Sequence, residues 1–452
     1  VKKSNGRVLV IGAGMAGSDA AFFLAERGVE VVLVEGKRIE RNPAQKMVDF
    51  AELVCTNSLK SVQTSSAHGL LKQDMDALGS LILREARKAA VPAGDALAVD
   101  REIFSRGVTE SLESHPNIQV VHTVAASPLG LQDKFNCDYT IVATGPLTSK
   151  PLEEWMVNEL ADDDFYFYDA IAPVVDADTL DYSKLYFKDR HKQADESADY
   201  LNAPMNQQQY EAFVNELIKA DKVPAQNFEE YRFFESCLPV DLMAERGIDT
   251  PRFSCMKPIG LELEGKERPY AVVQLRKENL AGAAYNLVGF QNRLKYGEQL
   301  RVFRMIPGLE NASFNSLGSV HRNSFLNSRK LLHWDLSSKK FPTVHFAGQI
   351  TGVEGYTESA SMGLYVGYQI LRKLQGRDEF TLWPKETAIG ALVNYIMTVV
   401  KPVPSNINFG LLPAIPLNRA QRKSRDRKKI RKQLVAAKAA EVLDEFINRE
   451  ML

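Results

Sequence analysis

The chain has 452 residues, a length that suggests about two to three domains at roughly 150 residues each. Its 45% hydrophobic and 25% charged residues match a globular protein with a substantial core, which excludes a disordered chain, a collagen and a small disulfide scaffold. Lys+Arg 56 against Asp+Glu 57 leaves a net charge of −1, so any attraction to a polyanion has to be local.

Arg7 to Ile11 reads as a short apolar strand, Gly12 to Gly17 as a glycine turn, and Ser18 to Arg27 as a helix with apolar Ala20, Ala21, Leu24 and Ala25 that ends at Gly28. A second apolar strand, Val29 to Val34, runs into Glu35, which completes a βαβ unit. The start, Val1 to Gly17, imitates a basic segment followed by an apolar one, but its glycine spacing and Asp19 suit a strand and turn better than a signal peptide. Leu70 to Ala89 and Arg101 to Ser114 predict amphipathic helices, and Ile118 to Val124 and Tyr139 to Ala143 further strands. This alternation implies a parallel sheet covered by helices.

From Pro146 to about Asp335 the pattern loosens into aromatic, acidic and Pro-punctuated stretches, with β runs at Tyr270 to Leu275 and Tyr285 to Phe290, the signature of an inserted domain. Thr343 to Ala347 is again an apolar strand, followed by a glycine-rich turn and a helical stretch from Ser359 to Leu374. Pro402 to Asn418 lacks charged residues but holds four prolines, so it is no spanning helix, and the chain reads as cytoplasmic without a membrane segment. The tail from Arg419 to Lys432 carries nine basic residues and one acid before a helix-forming end, Val435 to Leu452. Expected boundaries are 1–146 and 336–400 for the two parts of the first domain, 147–335 for the insertion and 401–452 for the basic helical tail.

Gly12-Ala-Gly14-Met-Ala-Gly17 has the spacing of a dinucleotide turn. The first glycine makes the bend, the second admits a pyrophosphate, and the third lets the helix pack on the strand. Glu35, 23 residues after Gly12, is placed to accept hydrogen bonds from a ribose and to disfavour a 2′-phosphate. Thr144-Gly145 closes a later strand and Gly348-Gln349, with Gly352 beyond, closes another. Together these resemble the FAD-binding frame of flavoproteins, although many of those have Gly-Asp at the last strand. The four cysteines, Cys55, Cys137, Cys237 and Cys255, form no CxxC and no Cys/His metal spacing, so no metal site is expected and reduced thiols are.

A narrower resemblance rests on Phe50 to Leu59, Gly69 to Lys72, Val91 to Gly94, Phe234 to Pro239, Lys257 to Leu261, Arg268 to Arg276, Tyr285 to Gln291, Arg304 to Asn311, His321 to Asn323 and Gly348 to Tyr356. These blocks are similar to the folate- and FAD-dependent tRNA (uracil-5-)-methyltransferases, the TrmFO family. The resemblance implies an α/β fold in which a Rossmann-like FAD domain is split by an inserted α+β domain. It also implies FAD, methylenetetrahydrofolate and NAD(P)H as cofactors or co-substrates, and a T-arm uridine of tRNA as the target. Ribosomal RNA is a possible target for the same chemistry, and an FAD oxidoreductase of small molecules or a non-catalytic flavin-binding RNA scaffold are the alternatives from other classes. The larger relatives that modify the tRNA wobble uridine carry a further C-terminal helical domain, for which 452 residues leave no room.

Uracil C5 attacks a carbon electrophile only after a thiolate has added at C6, so the chemistry requires a cysteine. A second group must remove the C5 proton. The resemblance implies Cys237 as nucleophile and Cys55 as base, with the reverse assignment open, and leaves Cys137 and Cys255 as packing residues. Glu354, Tyr356 and Glu358 are candidates to line the flavin or folate pocket, against a solvated helix start. Lys257, Arg276, His321 and Arg322 are candidates for RNA phosphate or the folate glutamate, and the aromatics Phe165 to Tyr168 and Tyr231 to Phe234 for base or pterin stacking, although a surface charge is the commoner reading of each cation and a buried stripe that of the aromatics. The basic tail is a local phosphate site or a solvated helix end.

Overall fold

The computed structural model describes residues 6–42, 44–160, 166–170, 172–192, 198–223, 238–277, 283–318, 320–377, 381–400, 404–424 and 426–450, with the side chains of 166–170, 315–316, 320–324, 422–423 and 428 excepted. Its centre is a five-stranded parallel sheet in the order Val344–Phe346, Tyr139–Val142, Arg7–Ile11, Glu30–Glu35, Ile118–His122. Val8 to Ile11 and Val31 to Val34 are fully buried, as strands covered on both faces by helices should be. The strand Arg7–Ile11 has the second strand on one side and Tyr139–Val142 on the other, so the glycine turn after it opens where the winding reverses, the usual ligand position in such sheets.

Helix Met15–Ala25 crosses helix Tyr356–Leu374 at close range. Glycines on the second helix permit it, since a Cβ at Gly363 would stand 2.0 Å from the Ala16 carbonyl oxygen. The single helix expected over Leu70 to Ala89 is two, Ala67–Leu78 and Leu81–Lys88. Gly79 takes φ +79° and ends the first, while Ser80 caps the second and donates its hydroxyl to the buried Asp19 carboxylate at 2.7 Å. Apolar periodicity runs through the break, and only the cap residues mark it.

Along the chain between the parallel strands Tyr139–Val142 and Val344–Phe346 lies a six-stranded sheet in the order Tyr186–Phe187, Tyr200–Met205, Ala271–Lys277, Ala284–Leu287, Val174–Asp176, Phe314–Ser316, antiparallel throughout. Helix Gln207–Lys219, started by an Asn206/Gln209 capping box, buries Tyr210, Phe213, Val214 and Leu217 into a second core with this sheet. A two-stranded ribbon pairs Tyr166–Ala170 with Val320–Ser324, which precede and follow this sheet along the chain. A small three-stranded sheet of Ser58–Ser61, Ala96–Val99 and Ala90–Val91, not anticipated from the sequence, carries the segment just after Cys55.

The basic run is split: Arg419–Lys423 is a short helix of its own, started by Asn418 and ended at Ser424, and the cations from Arg427 onward open the 24-residue helix Arg427–Glu450 that includes the C-terminal segment. Val435, Ala439, Leu443 and Phe446, spaced four, four and three apart, form its buried stripe and join the core of the first domain. Phe446 packs on Trp383 at 4.6 Å between ring centroids, and Glu450 pairs with Arg372 on the long helix.

Candidate flavin site and catalytic junction

The three motif glycines have different surroundings. Gly12 has φ +99°, and a Cβ on it would lie 2.7 Å from the Ala143 carbonyl oxygen of the neighbouring strand end. A Cβ on Gly17 would lie 1.8 Å from the Gly12 carbonyl oxygen, so that glycine serves helix-to-strand packing. Around Gly14 the nearest atom is the Ala143 oxygen at 4.0 Å. Gly14 therefore faces space, a cavity of about 300 Å³ whose wall includes Gly12, Gly14, Glu35, Thr144 and Thr148.

Glu35 accepts the backbone N–H of Ala13 at 2.7 Å and of Lys37 at 2.8 Å, one on each oxygen, which fixes the carboxylate at the cavity wall. Each oxygen retains a lone pair for a hydroxyl donor. The adjacent cation is turned away, because Lys37 Nζ is buried between the Asp49 carbonyl at 2.7 Å and Glu52 at 3.1 Å. An acid at the wall with its neighbouring lysine engaged elsewhere suits an unphosphorylated ribose. The open glycine, the helix N-terminus and the fixed acid together fit the adenosine and pyrophosphate of a dinucleotide.

On the other side of the turn, Thr144 and Thr148 hydroxyls lie 2.7 Å apart, and Gly145 has φ +69° with nothing near its missing Cβ. Gly348 has φ +85°, and a Cβ there would stand 2.8 Å from Ala16 Cβ, so the end of the last strand closes on the helix start. The Gln349 side chain donates to Glu354 at 2.6 Å, and Gly352 at φ +94° sits in a loop bonded to Ser405. Gly348, Gln349 and Gly352 are not in the wall of the Gly14 cavity.

Cys55 is held by its backbone. Its N–H and that of Thr56 both donate to the Tyr356 hydroxyl oxygen, at 2.8 and 3.2 Å, and its carbonyl accepts from Arg101 at 3.2 Å. The next two side chains, Thr56 and Asn57, accept from Arg276 of the inserted sheet, and Asn57 donates to the Lys277 carbonyl at 2.9 Å. Arg276 is thus a buried tie between layers, not the surface phosphate ligand its charge suggested. Cys55 thereby stands at the junction of three parts of the chain: the segment after the Gly348 turn, the small sheet and the inserted domain.

Cys237 lies outside the described residues, as do Phe165, Tyr231 to Phe234 and Glu235, and the side chains of Tyr166 to Tyr168, His321 and Arg322. Just beyond Cys237, Leu238 is buried and Pro239 opens helix Val240–Arg246, whose first N–H donates to the Gln291 carbonyl at 2.8 Å. Burial pushes the Cys137 thiol up to about 11 and the Cys255 thiol up to about 12, so neither offers a thiolate near neutral pH.

Glu358 is fully buried in the first turn of helix Tyr356–Leu374 rather than solvated. Burial alone would raise its carboxyl, but His68 at 3.3 Å and nearby Lys60 hold it at about 2. Lys72, drawn down to about 8 by burial, donates to the carbonyls of Leu59 at 2.6 Å and Ser61 at 3.1 Å and ties helix Ala67–Leu78 to the Cys55-side sheet. His68 and Arg101 were given no role from the sequence, and Asn57 and Lys72 entered only as members of the resemblance blocks. Their partners lie in other segments, up to 290 residues away for His68 and Glu358, and no local pattern announces them.

A protein of Natranaerobius thermophilus named "Methylenetetrahydrofolate--tRNA-(uracil-5-)-methyltransferase TrmFO" is 46% identical over 448 residues, 98% of this chain and 100% of that one. A protein of the same name from Persephonella marina is 46% identical over 446 residues, 98% of this chain and 99% of that one. The chain belongs to the TrmFO family. The wider family described as "Glucose inhibited division protein A" matches residues 7–378. The structure of Aquifex aeolicus GidA shares the fold, with a TM-score of 0.65 at 16% identity over 98% of this chain and 74% of that one.

In this TrmFO-family chain the charged end of helix Arg427–Glu450 is open to solvent, with Arg427, Lys429, Arg431 and Lys432 all exposed. Among the described residues no helix is long and apolar enough to cross a membrane.

Proposed function

We propose that this protein is a methylenetetrahydrofolate-dependent tRNA (uracil-5-)-methyltransferase that uses FAD, with NAD(P)H as the source of electrons, and that it works in the cytoplasm. The observation that carries this reading is 46% identity over 98% of the chain to proteins named for that activity, joined to a cavity whose wall suits a dinucleotide. FAD when bound would supply the reducing equivalents that turn the folate-derived methylene into a methyl group. Gly12 and Gly14 would admit its pyrophosphate, Glu35 would accept its ribose hydroxyls, and Thr144, Gly145, Gly348, Gln349 and Gly352 would border the remainder.

The protein's own chemistry falls to its cysteines. The Cys237 thiolate adds to C6 of the uracil, which makes C5 nucleophilic; C5 bonds to the methylene carbon supplied by the folate. Cys55 then takes the C5 proton as the bond from that carbon to the folate nitrogen breaks and tetrahydrofolate leaves; a hydride, which the reduced flavin when bound would supply, completes the methyl group as the C6–S bond breaks and 5-methyluridine leaves. Tyr356, through the N–H groups of Cys55 and Thr56, would keep the base in place.

The test is transfer of label from methylenetetrahydrofolate, with NADPH, to tRNA or ribosomal RNA transcripts. Label in tRNA is expected; label in neither would sink the function, and label only in ribosomal RNA would move the target. Cys237→Ala is expected to retain flavin absorbance and to lose transfer by at least two orders of magnitude. Surviving activity would place the nucleophile elsewhere.

A further inference from the structure

The inserted sheet has a second cleft, at the opposite end of the strand that secures Cys55. Arg276, which holds Thr56 and Asn57, lies six residues along from Tyr270, roughly 20 Å at strand spacing. At the Tyr270 end, strand ends, the turn Thr250–Phe253 and the loop 257–269 enclose a cleft of about 620 Å³. Its wall carries five cations and one acid, Glu267. Lys184 is neutralised by Asp181 and Glu310, and Arg268 by Glu262. Arg252, Lys257 and Lys266 have no ion pair among the described residues, so the cleft keeps a surplus of positive charge.

The aromatic groups are arranged to match. The Arg252 guanidinium lies 3.8 Å from the Tyr270 ring centroid and donates Nε to the Tyr270 carbonyl at 2.8 Å, which presents a flat, charged plate. Phe253 beside it is 73% exposed. A bare aromatic ring among unneutralised cations in a concave wall is the composition that takes single-stranded nucleic acid, with the bases on rings and the phosphates on cations. Duplex backbone would use the cations and leave Phe253 in water.

We propose that this cleft is a second RNA subsite, which takes an unpaired stretch of the RNA substrate with a base on Phe253 and phosphates against Arg252, Lys257 and Lys266, away from the reacting uridine. The proposal rests on the reading of the protein as an RNA-modifying enzyme. It explains how a nearly neutral chain gathers a large polyanion: two separate basic surfaces, this cleft and the helix beginning at Arg427, engage it outside the chemistry.

The test uses the flavin-loaded full chain with Phe253→Ala, Lys266→Glu and the double variant, all at exposed positions. Filter binding of a full-length tRNA transcript is read apart from methyl transfer. For the double variant, Kd and KM are expected to rise on the order of tenfold with kcat and flavin spectrum unchanged. The slope of log K against log salt should fall by about 0.7 in magnitude for the lost phosphate contact. Unchanged binding and KM, or a fall confined to kcat, would overturn the subsite, and a cleft that instead retains a protein partner would do the same. Wild-type protein that binds tRNA without transferring methyl would count against the proposed function alone, and the binding comparison would still decide the cleft.

Discussion

Gly14 and Gly17 stand three residues apart in one turn, and their surroundings predict opposite phenotypes. Gly14→Glu projects a charged side chain into open space, so the protein should fold with its flavin-free thermal midpoint unchanged and lose its flavin. Gly17→Ala drives a methyl into the Gly12 carbonyl, 1.8 Å away, and should cost about 1–3 kcal/mol of stability whether or not flavin is present. The flavin-to-protein absorbance ratio and a thermal melt of the flavin-free form separate the two. Stoichiometric flavin in Gly14→Glu would refute the turn as the pyrophosphate site. The buried carboxylates divide in the same way. Burial pushes Asp74 from 3.8 up to about 7, partly offset by the N–H groups of Ile389 and Ala388. Its native form therefore holds an extra proton between about pH 4 and 7, and the stability it contributes falls as pH rises through that window. Asp74→Asn keeps an acceptor for Ile389 and cannot titrate, so it should gain on the wild type as pH goes from 4 to 8, read from urea midpoints. Glu358, held down from 4.5 to about 2 despite its burial, works in the other direction: its stabilisation is present above pH 4.5 and is lost as pH falls toward 2.

At the scale of elements, the helix Arg427–Glu450 combines two functions along its length. Its C-terminal half is an anchor, where Phe446 fills a space between Trp383 and Tyr368 and truncation to Ala should cost about 3–5 kcal/mol. Its N-terminal half holds exposed cations, of which Lys432 lies 5.4 Å from the Phe409 ring centroid at the surface. Replacing Arg427, Lys429, Arg431 and Lys432 with Gln should leave the thermal midpoint within about a degree and weaken tRNA binding most at low salt, since displaced counterions provide the affinity. Binding that is equally weak at every salt concentration would point to a lost fold instead. The composition of this segment was plain in the sequence. That it is one continuous helix docked by a stripe of four apolar residues was not, because the basic run interrupts the apolar periodicity before the stripe begins.

At the scale of the whole molecule, the inserted layer reaches the flavin layer through a buried cation. Arg276 hydrogen-bonds Thr56 and Asn57, the two residues after Cys55. Under the proposed role of Cys55, Arg276→Ala should keep its flavin and lower kcat on the order of a hundredfold, because a small displacement of a reacting group is enough for that. Unchanged kcat would mean that the junction is structural only. The same tie acts together with the Asn57 amide, which donates to the Lys277 carbonyl at 2.9 Å, and loss of the arginine leaves the buried Asn57 oxygen without its donor.

Local chemistry was enough to read the parallel βαβ start and the glycine turn, since strand apolarity and a glycine spacing are properties of neighbouring residues. Membership of the family was likewise carried by contiguous blocks. Three matters depended on contacts between segments far apart in the chain: that Gly14 faces space while Gly17 faces a carbonyl, that Tyr356 grips the Cys55 backbone from 301 residues away, and that Arg276 is interior. A residue's type states what it can bond, and its position in the chain says little about which distant group the folded backbone brings within 3 Å.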